Sequence, residues 1–132
     1  MPAPWSYDYA VIRVVPRVDR GEQINVGVIV SCAEANYLDA RIDLDESLLL
    51  AIDPLVDITT VRANLAVIPA VCRGGAEGGP IGAMDPRDRF RWLVSPRSTM
   101  IQPSAVHTGR THDPEACLEQ LMDRVVRRQR SD

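Results

Sequence analysis

The chain has 132 residues, 45% of them hydrophobic and 25% charged, a composition typical of one soluble globular domain large enough to bury a core. Its formal net charge of −3 provides no general positive field, so nucleic acid is not an expected partner. No apolar run approaches the roughly 18 residues that cross a bilayer, so we expect no membrane segment.

Two β-strands are predicted first, over residues 7–15 and 24–30. The first is rich in β-branched and aromatic residues and ends at Pro16, which has no N–H to donate to a neighbouring strand. The link between the two strands is too short for a helical crossover, which predicts an antiparallel pair. Alternation within the second strand places four residues on one face: Ile24, Val26, Val28 and Val30.

Gly27 lies inside the second strand, where a glycine costs stability. It indicates a bulge or the close approach of another backbone, with a close ligand as the alternative. Ala10, Val14, Val15 and Ile29 place apolar side chains on both faces of the pair. We therefore expect the pair to lie inside a sheet that helices cover.

A third strand and two helices are predicted next. Residues 37–44 alternate as a strand, and Asp45 then caps a short helix that ends near residues 53–54. Asp57 begins a longer helix that continues to residues 74–75. Pro69 lies inside the pattern of this helix, so we expect either a kink or the loss of the last turn.

Two further helices begin with an aspartate followed by a proline, at residues 85–86 and 113–114, and this pair combines an N-cap with a favoured first helical residue. The last helix carries one apolar stripe, formed by Cys117, Leu118, Leu121, Met122, Val125 and Val126. Between these helices, residues 99–102 are predicted to form a fourth strand.

The fold class that these elements predict is α+β, with a three- to four-stranded, mainly antiparallel sheet covered by helices in a single domain. The domain takes in residues 1–132, with an ordered core over about 7–128. Residues 73–82 form a glycine-rich loop that lacks the Gly-Lys-Ser/Thr ending of a P-loop. We therefore interpret this loop as a flexible linker and not as a phosphate cradle.

Cysteines and histidines indicate neither a disulfide framework nor a metal centre. Cys32, Cys72 and Cys117 are widely spaced in apolar surroundings, which is typical of reduced core thiols. His107 and His112 lie on a turn-like stretch with no cysteine or carboxylate at metal-ligand spacing. We expect no metal and no cofactor. Residues 1–5 lack the basic and apolar regions of an export signal, which predicts a cytoplasmic location.

The charge is distributed unevenly along the chain. Residues 34–57 carry acidic side chains with Arg41 as the single basic residue, whereas the C-terminus concentrates Arg124, Arg127, Arg128 and Arg130. Basic residues at a helix end complement the helix dipole, and this interpretation is preferred over a docking patch for an acidic partner.

The most polar segments, residues 95–99 and 102–109, supply the candidate site. Arg97, Ser98, Thr99 and His107 combine an arginine, two hydroxyls and an imidazole, which can bind phosphate or carboxylate. With Arg13 and Asn25 they are expected to converge at one end of the sheet as an anion-binding site. In the alternative interpretation the hydroxyls satisfy turn backbones and Arg97 pairs with an acidic side chain.

Several short motifs in order, at residues 9–16, 21–22, 25–29, 89–99, 102–104 and 106–109, resemble the bacterial domain-of-unknown-function family 3037. The resemblance covers nearly the whole chain and implies no established activity and no catalytic residues. It implies a HipA-like kinase as a protein partner. The positions that match the family motif are Arg13, Glu22, Asn25, Gly27, Arg97, Ser98, Thr99, His107 and Gly109.

Two function hypotheses follow from these observations. In the first, the chain is a non-enzymatic accessory domain that binds a protein partner through its uneven charge and a sheet edge. In the second, it is a small enzyme or ligand-binding domain that acts on a phosphorylated or nucleotide-like molecule. The first is preferred because the sequence shows no paired base and nucleophile. The oligomeric state is left open.

Overall fold

The sheet and its helices are seen in a computed structural model, which describes residues 3–97 and 99–127. The five strands are β1 (Trp5–Val14), β2 (Ile24–Cys32), β3 (Tyr37–Ile42), β4 (Ile101–Pro103) and β5 (His107–Thr111). The α-helices are α1 (Glu46–Ile52), α2 (Ile58–Arg73), α3 (Gly79–Gly82), α4 (Pro86–Val94) and α5 (Pro114–Val125), and two 3-10 turns lie at Ala33–Ala35 and Ala76–Gly78. The predicted α+β class with an antiparallel sheet is confirmed.

The sheet has the strand order β3-β2-β1-β4, and β5 also pairs with β1. All pairings are antiparallel. β4 and β5 lie end to end along the same side of β1, because β4 pairs with Ile12 to Val14 and β5 with Trp5 to Tyr9. Ser104 lies between them and bonds twice to Val11, its N–H donating to the Val11 carbonyl and its Oγ accepting from the Val11 N–H, each at 2.8 Å.

β5 replaces the turn-like stretch that the sequence predicted around His107, so the sheet has one strand more than expected. Its five residues are polar or glycine, without the β-branched apolar pattern of a core strand. Tyr7 explains how Gly109 is accommodated there, because a Cβ at Gly109 would lie 2.7 Å from the Tyr7 ring. The aromatic ring therefore covers the glycine opposite it, which is half-buried between exposed neighbours.

A bulge in β2 changes which side chains share a face. Ile12 pairs with Gly27 and Arg13 pairs with Asn25, so Val26 is an extra residue between two successive pairs. Ile24 and Val26 consequently pack in one hydrophobic cluster, whereas Val28 and Val30 pack in the other. The expectation that these four residues share a face was wrong, because strict alternation does not survive an inserted residue.

Gly27 fits this position for a steric reason. A Cβ on it would lie 2.5 Å from the Arg41 carbonyl oxygen of β3 and 2.8 Å from Ile42 Cδ1. The predicted bulge with close backbone approach is confirmed. Gly27 therefore lets β2 lie against β3 where the strand changes faces.

Helices cover both faces of the sheet, as the apolar residues on both faces of the first two strands predicted. α2 and α4 pack on the face of Ile12 and Val14 through residues such as Val61, Leu65 and Phe90. α5 packs on the opposite face, where Leu118 and Met122 contact the cluster of Val28 and Val30. The predicted apolar stripe of the last helix is therefore the inner face of α5.

All four predicted N-caps are confirmed. Each aspartate side chain accepts a hydrogen bond from the backbone N–H three residues further on: Asp45 from Leu48, Asp57 from Thr60, Asp85 from Asp88 and Asp113 from Ala116. Helix α2 continues through Pro69 to Arg73, so the expected loss of its last turn does not occur.

The glycine-rich segment 73–82 contains a 3-10 turn and the short helix α3, which the sequence interpretation as a loop did not include. The segment folds around Arg89, which is buried and donates from Nη1 to the carbonyls of Val71 (2.8 Å) and Cys72 (2.7 Å). Gly82 packs so closely on Gly75 that a Cβ there would lie 2.2 Å from the Gly75 oxygen. Close backbone packing against Gly75 therefore accounts for glycine at residue 82, whereas at Gly74 a Cβ would lie 2.8 Å from Arg89 Nη1.

The three cysteines are free and buried, as expected for thiols of the core. Burial raises the pKa of the Cys72 thiol to about 12, with smaller effects from nearby charges. In the part of the chain that the structure describes, no helix is both long enough and apolar enough to cross a membrane.

We predict that Leu121→Ala lowers the free energy of unfolding by about 2–5 kcal/mol, because a buried leucine is lost from the interface of α5 with the sheet. The control is Gln120→Ala, an exposed position on the same helix, where the change stays within about 0.5 kcal/mol. Denaturant titration measures both. Equal stability of the two variants would contradict the docking of α5 through this stripe.

We also predict that stability falls as the pH rises from about 9 to 10, because the Cys72 thiol begins to ionise in the unfolded chain near its ordinary pKa of 9.0 but stays protonated in the fold. A raised pKa of an acid stabilises the fold below the unfolded pKa, and this contribution is lost as the pH rises toward the folded pKa. Denaturant midpoints of wild type and Cys72→Ala, each measured at pH 8, 9 and 10, test this. The variant should show the smaller slope, and identical slopes would exclude the effect.

Candidate functional site

The five candidate site residues that the structure describes divide between the two faces of the sheet. Along β1 the side chains of Ile12 and Val14 face α2 and α4, so Arg13 lies on the α5 side. α5 packs mainly on β2 and β3, and its cluster also takes in Tyr7 and Tyr9 of β1. We call the β1, β4 and β5 part of this side the α5-side strip, and it is formed by Tyr9, Val11, Arg13, Asn25, Gln102 and His107.

Arg13 and Asn25 are brought together as predicted, since they are cross-strand partners beside the bulge. The Asn25 amide nitrogen donates to the Val125 carbonyl at the end of α5, at 3.0 Å. The Arg13 guanidinium has a single long contact, from Nη2 to the Pro103 carbonyl at 3.4 Å. In the described residues, Arg13 Nε is the one buried side-chain nitrogen or oxygen without a hydrogen-bond partner.

His107 lies on the same strip, opposite Tyr9. The two rings are 5.2 Å apart between centroids and tilted by 34°, and Tyr9 also stacks on Tyr7 at 6.0 Å. Burial, helped by a hydrogen bond with the Cys117 thiol, raises the pKa of Tyr7 to about 12. His107 is exposed and forms the outer end of a row of rings with Tyr9 and Tyr7. Its neighbour is thus Tyr9 and not Arg97.

Arg97 does not join His107, contrary to the expected convergence. Its Nη1 donates to the Leu93 carbonyl at 2.9 Å and its Nη2 to the Trp92 carbonyl at 2.7 Å. The guanidinium also lies 4.7 Å from the centroid of the Trp92 ring. Burial lowers the pKa of Arg97. Arg97 therefore caps the C-terminal end of α4, and its partners are carbonyls and not the acidic side chain of the alternative interpretation.

The hydroxyls of the polar segment also serve local structure. Thr99 Oγ1 donates to the Ile101 carbonyl at 3.1 Å, next to the start of β4. Ser98 lies outside the described residues. The segment is thus a cap and a turn on the α4 side of the sheet, which is the side opposite to Arg13, Asn25 and His107.

An apolar groove lies beside Arg97, between α2, the end of α4 and β4. Its volume is about 330 Å³, and Val67 and Trp92 are 47% and 37% exposed. The groove is lined by Asn64, Val67, Ile68, Trp92, Leu93, Arg97, Thr99 and Ile101. The sequence interpretation missed Val67 and Trp92, although Trp92 falls outside the helical spacing of the buried Phe90 and Leu93.

A second, polar pocket of about 540 Å³ lies where β2 meets the end of α5. Its lining consists of Gln23, Ile24, Asn25, Arg124, Val125, Val126 and Arg127. Arg127 is already paired, with Nη1 at 2.9 Å from both Glu119 and Asp123. Arg124 is exposed and has no acidic partner among the residues that the structure describes.

The acidic segment 34–57 is largely used within the fold. Asp45 and Asp57 are helix caps, and Glu46 pairs with Arg62. Arg41 on β3 contacts Asp39 at 2.5 Å, Glu119 at 3.0 Å and also Glu115, so it connects the sheet to α5. These pairs give the acidic segment a structural role. Of the four arginines of the basic C-terminus, Arg128 and Arg130 lie outside the described residues.

Metal ligation has no cluster to support it in the described part of the chain, where no three His, Cys, Asp or Glu side chains come together. The sequence-derived site thus separates into Arg13, Asn25 and His107 on the α5-side strip and Arg97 with Thr99 on the α4 side. Anion binding remains a hypothesis for the strip, where cationic donors meet a polar pocket.

We predict that Arg97→Ala lowers the free energy of unfolding by about 1–3 kcal/mol, because it removes two charge-assisted hydrogen bonds to carbonyls and the contact with Trp92. Arg91→Ala is the matched control, since Arg91 is an exposed arginine of the same helix with a surface pair to Asp88 at 3.6 Å. Denaturant titration compares them. An Arg97 variant as stable as the Arg91 variant would exclude the capping role.

Comparison with known proteins adds the family. No curated protein and no solved structure matches the chain. A family model described as "Protein of unknown function (DUF3037)" matches residues 9–126, which cover both groups of candidate site residues and the helices on each face of the sheet. Because the match takes in most of the chain, the protein belongs to the DUF3037 family.

Proposed function

We propose that the protein is a non-enzymatic accessory domain that binds an extended segment of a protein partner along the β4–β5 edge of its sheet. The observation that carries this proposal is the free side of β5. This strand pairs with β1 and with no other strand among those described. A HipA-like kinase is the partner that the family resemblance suggests.

A free edge presents backbone N–H and C=O groups that an incoming strand can pair with. Proteins commonly protect such edges with lysine, proline or inward charges. Here Pro103 ends β4, but β5 contains neither proline nor lysine. His107, Thr108 and Arg110 are exposed along it. This edge therefore offers five residues of backbone to a partner strand.

The apolar groove provides a place for an anchoring side chain next to the same edge. Ile101 belongs both to β4 and to the groove, so a segment paired with the edge passes the groove opening. Trp92 is held in place by Arg97, and half-exposed aromatic rings of this kind are frequent energetic centres of interfaces. The groove thus suits an aliphatic or aromatic residue of the partner.

The charge of the β4–β5 edge favours one kind of partner segment. Residues 101–112 include His107, Arg110 and His112 and no acidic residue. An acidic segment meets complementary charge at this edge, whereas a basic one is repelled. We therefore propose that the partner binds through an extended, acidic segment with one apolar anchoring side chain.

The test is a binding titration with the HipA-like kinase of the same organism. We predict that Arg110→Glu and Trp92→Ala each weaken the complex about tenfold or more, because one reverses the edge charge and the other removes the groove wall. Arg20→Glu is the control, since Arg20 is exposed in the β1–β2 connection and pairs with Glu22.

Unchanged melting temperatures of the variants establish that they are folded. If the kinase fails to bind wild type, or binds both variants as tightly as it binds wild type and the control, the proposal is wrong.

A further inference from the structure

Arg13 differs from the other buried or half-buried arginines of the described chain in what its guanidinium contacts. Arg89 donates to three backbone carbonyls, Arg97 to two, and Arg41 contacts three carboxylates. Arg13 has one contact of 3.4 Å and a buried Nε with no acceptor. A charged N–H group that is buried without a hydrogen-bond acceptor destabilises the fold. A ligand could supply the acceptor that Arg13 lacks.

The position of Arg13 shows where a ligand could lie. Arg13 and Asn25 are directly opposite each other, and side chains in such pairs begin about 5 Å apart on the same face. Asn25 lines the polar pocket at the end of α5, and its amide nitrogen is held by the Val125 carbonyl. The pocket of about 540 Å³ has the size of a site for a small metabolite.

The two charged residues that line this pocket, Arg124 and Arg127, are both arginines. Arg127 is already paired with acidic side chains, whereas Arg124 is exposed and no described acidic side chain pairs with it or with Arg13. The carbonyl end of α5 acts in the opposite direction, because the C-terminal end of a helix repels anions. A ligand held by two arginines against this dipole binds with moderate affinity that decreases as salt is added.

We propose that Arg124, which lines this pocket, and Arg13, the cross-strand partner of the lining residue Asn25, together bind the phosphate group of a small phosphorylated molecule. Phosphate fits because a guanidinium offers a planar set of donors that matches its oxygens, and because a dianion balances both arginines. This site is separate from the β4–β5 edge. Its test uses no kinase, so its failure and the failure of the partner proposal are distinguishable.

Two variants and one matched control test the site by titration calorimetry and thermal melts, with inorganic phosphate and AMP as the probes. We predict that both probes bind wild type and raise its melting temperature. Arg13→Met should weaken binding about tenfold or more, and Arg124→Gln should weaken it as well. Arg91→Gln is the control, because Arg91 is an exposed arginine of α4 on the opposite face of the sheet and should leave binding unchanged.

Arg13→Met also separates a binding role from a structural one. An unpaired, partly buried charge costs stability, so without ligand the variant should melt at the same temperature as wild type or higher. Should this variant fail to fold, amide chemical shifts of wild type during phosphate titration replace it, with changes expected around Arg13, Asn25 and Arg124.

Three results would overturn the proposal: no binding of either probe to wild type, unchanged binding in Arg13→Met, or chemical-shift changes confined to other parts of the chain. Tighter binding of AMP than of inorganic phosphate would support the site and show that the rest of the nucleotide also contacts it. Equal binding of the two would support a site for the phosphate group alone.

Discussion

The close approach of β2 to β3 at Gly27 is the constraint that decides which residues of β2 reach each side of the core. With no Cβ at this residue, the Arg41 carbonyl of β3 can lie where a side chain would otherwise be, and β2 takes up an extra residue. The bulge sends Ile24 and Val26 to the α2 and α4 side and Val28 and Val30 to the α5 side. The bulge therefore keeps Ile24 and Val26 in the core of the α2 and α4 side, and the same shift places Asn25 opposite Arg13.

Arginines organise the helix ends in this chain, which contains no lysine. Arg89 satisfies carbonyls at the end of α2, and Arg97 does the same for α4. A guanidinium suits this work because its planar donors can reach two carbonyls at once while its charge complements the helix dipole. Arg13 differs from both, because its guanidinium makes one long contact and its Nε has no acceptor.

Local chemistry was predictable from the sequence and tertiary contact was not. The four aspartate caps depend on one side chain and a backbone N–H three residues away, so each could be assigned from the sequence alone. The face of Val28 depends on how β2 meets β3, and the strand β5 depends on the Tyr7 ring that covers Gly109. Both are contacts between different strands, so the sequence of one strand does not reveal them. For the candidate site, the neighbourhood of Arg13 and Asn25 was correctly predicted from adjoining strands. Arg97 was not, because its acceptors are main-chain carbonyls, which have no sequence signature.

The two proposed surfaces differ in what they cost the free protein. The β4–β5 edge is exposed to water, which satisfies its backbone groups until a partner strand replaces the solvent, so an edge can be kept at little cost to the monomer. Arg13 Nε is buried away from water and has no acceptor, so it lowers the stability of the free protein. A hydrophobic residue at residue 13 would avoid that cost beside Val11 and Val15. The cost of this arginine to the fold is therefore the reason that we propose a ligand for it.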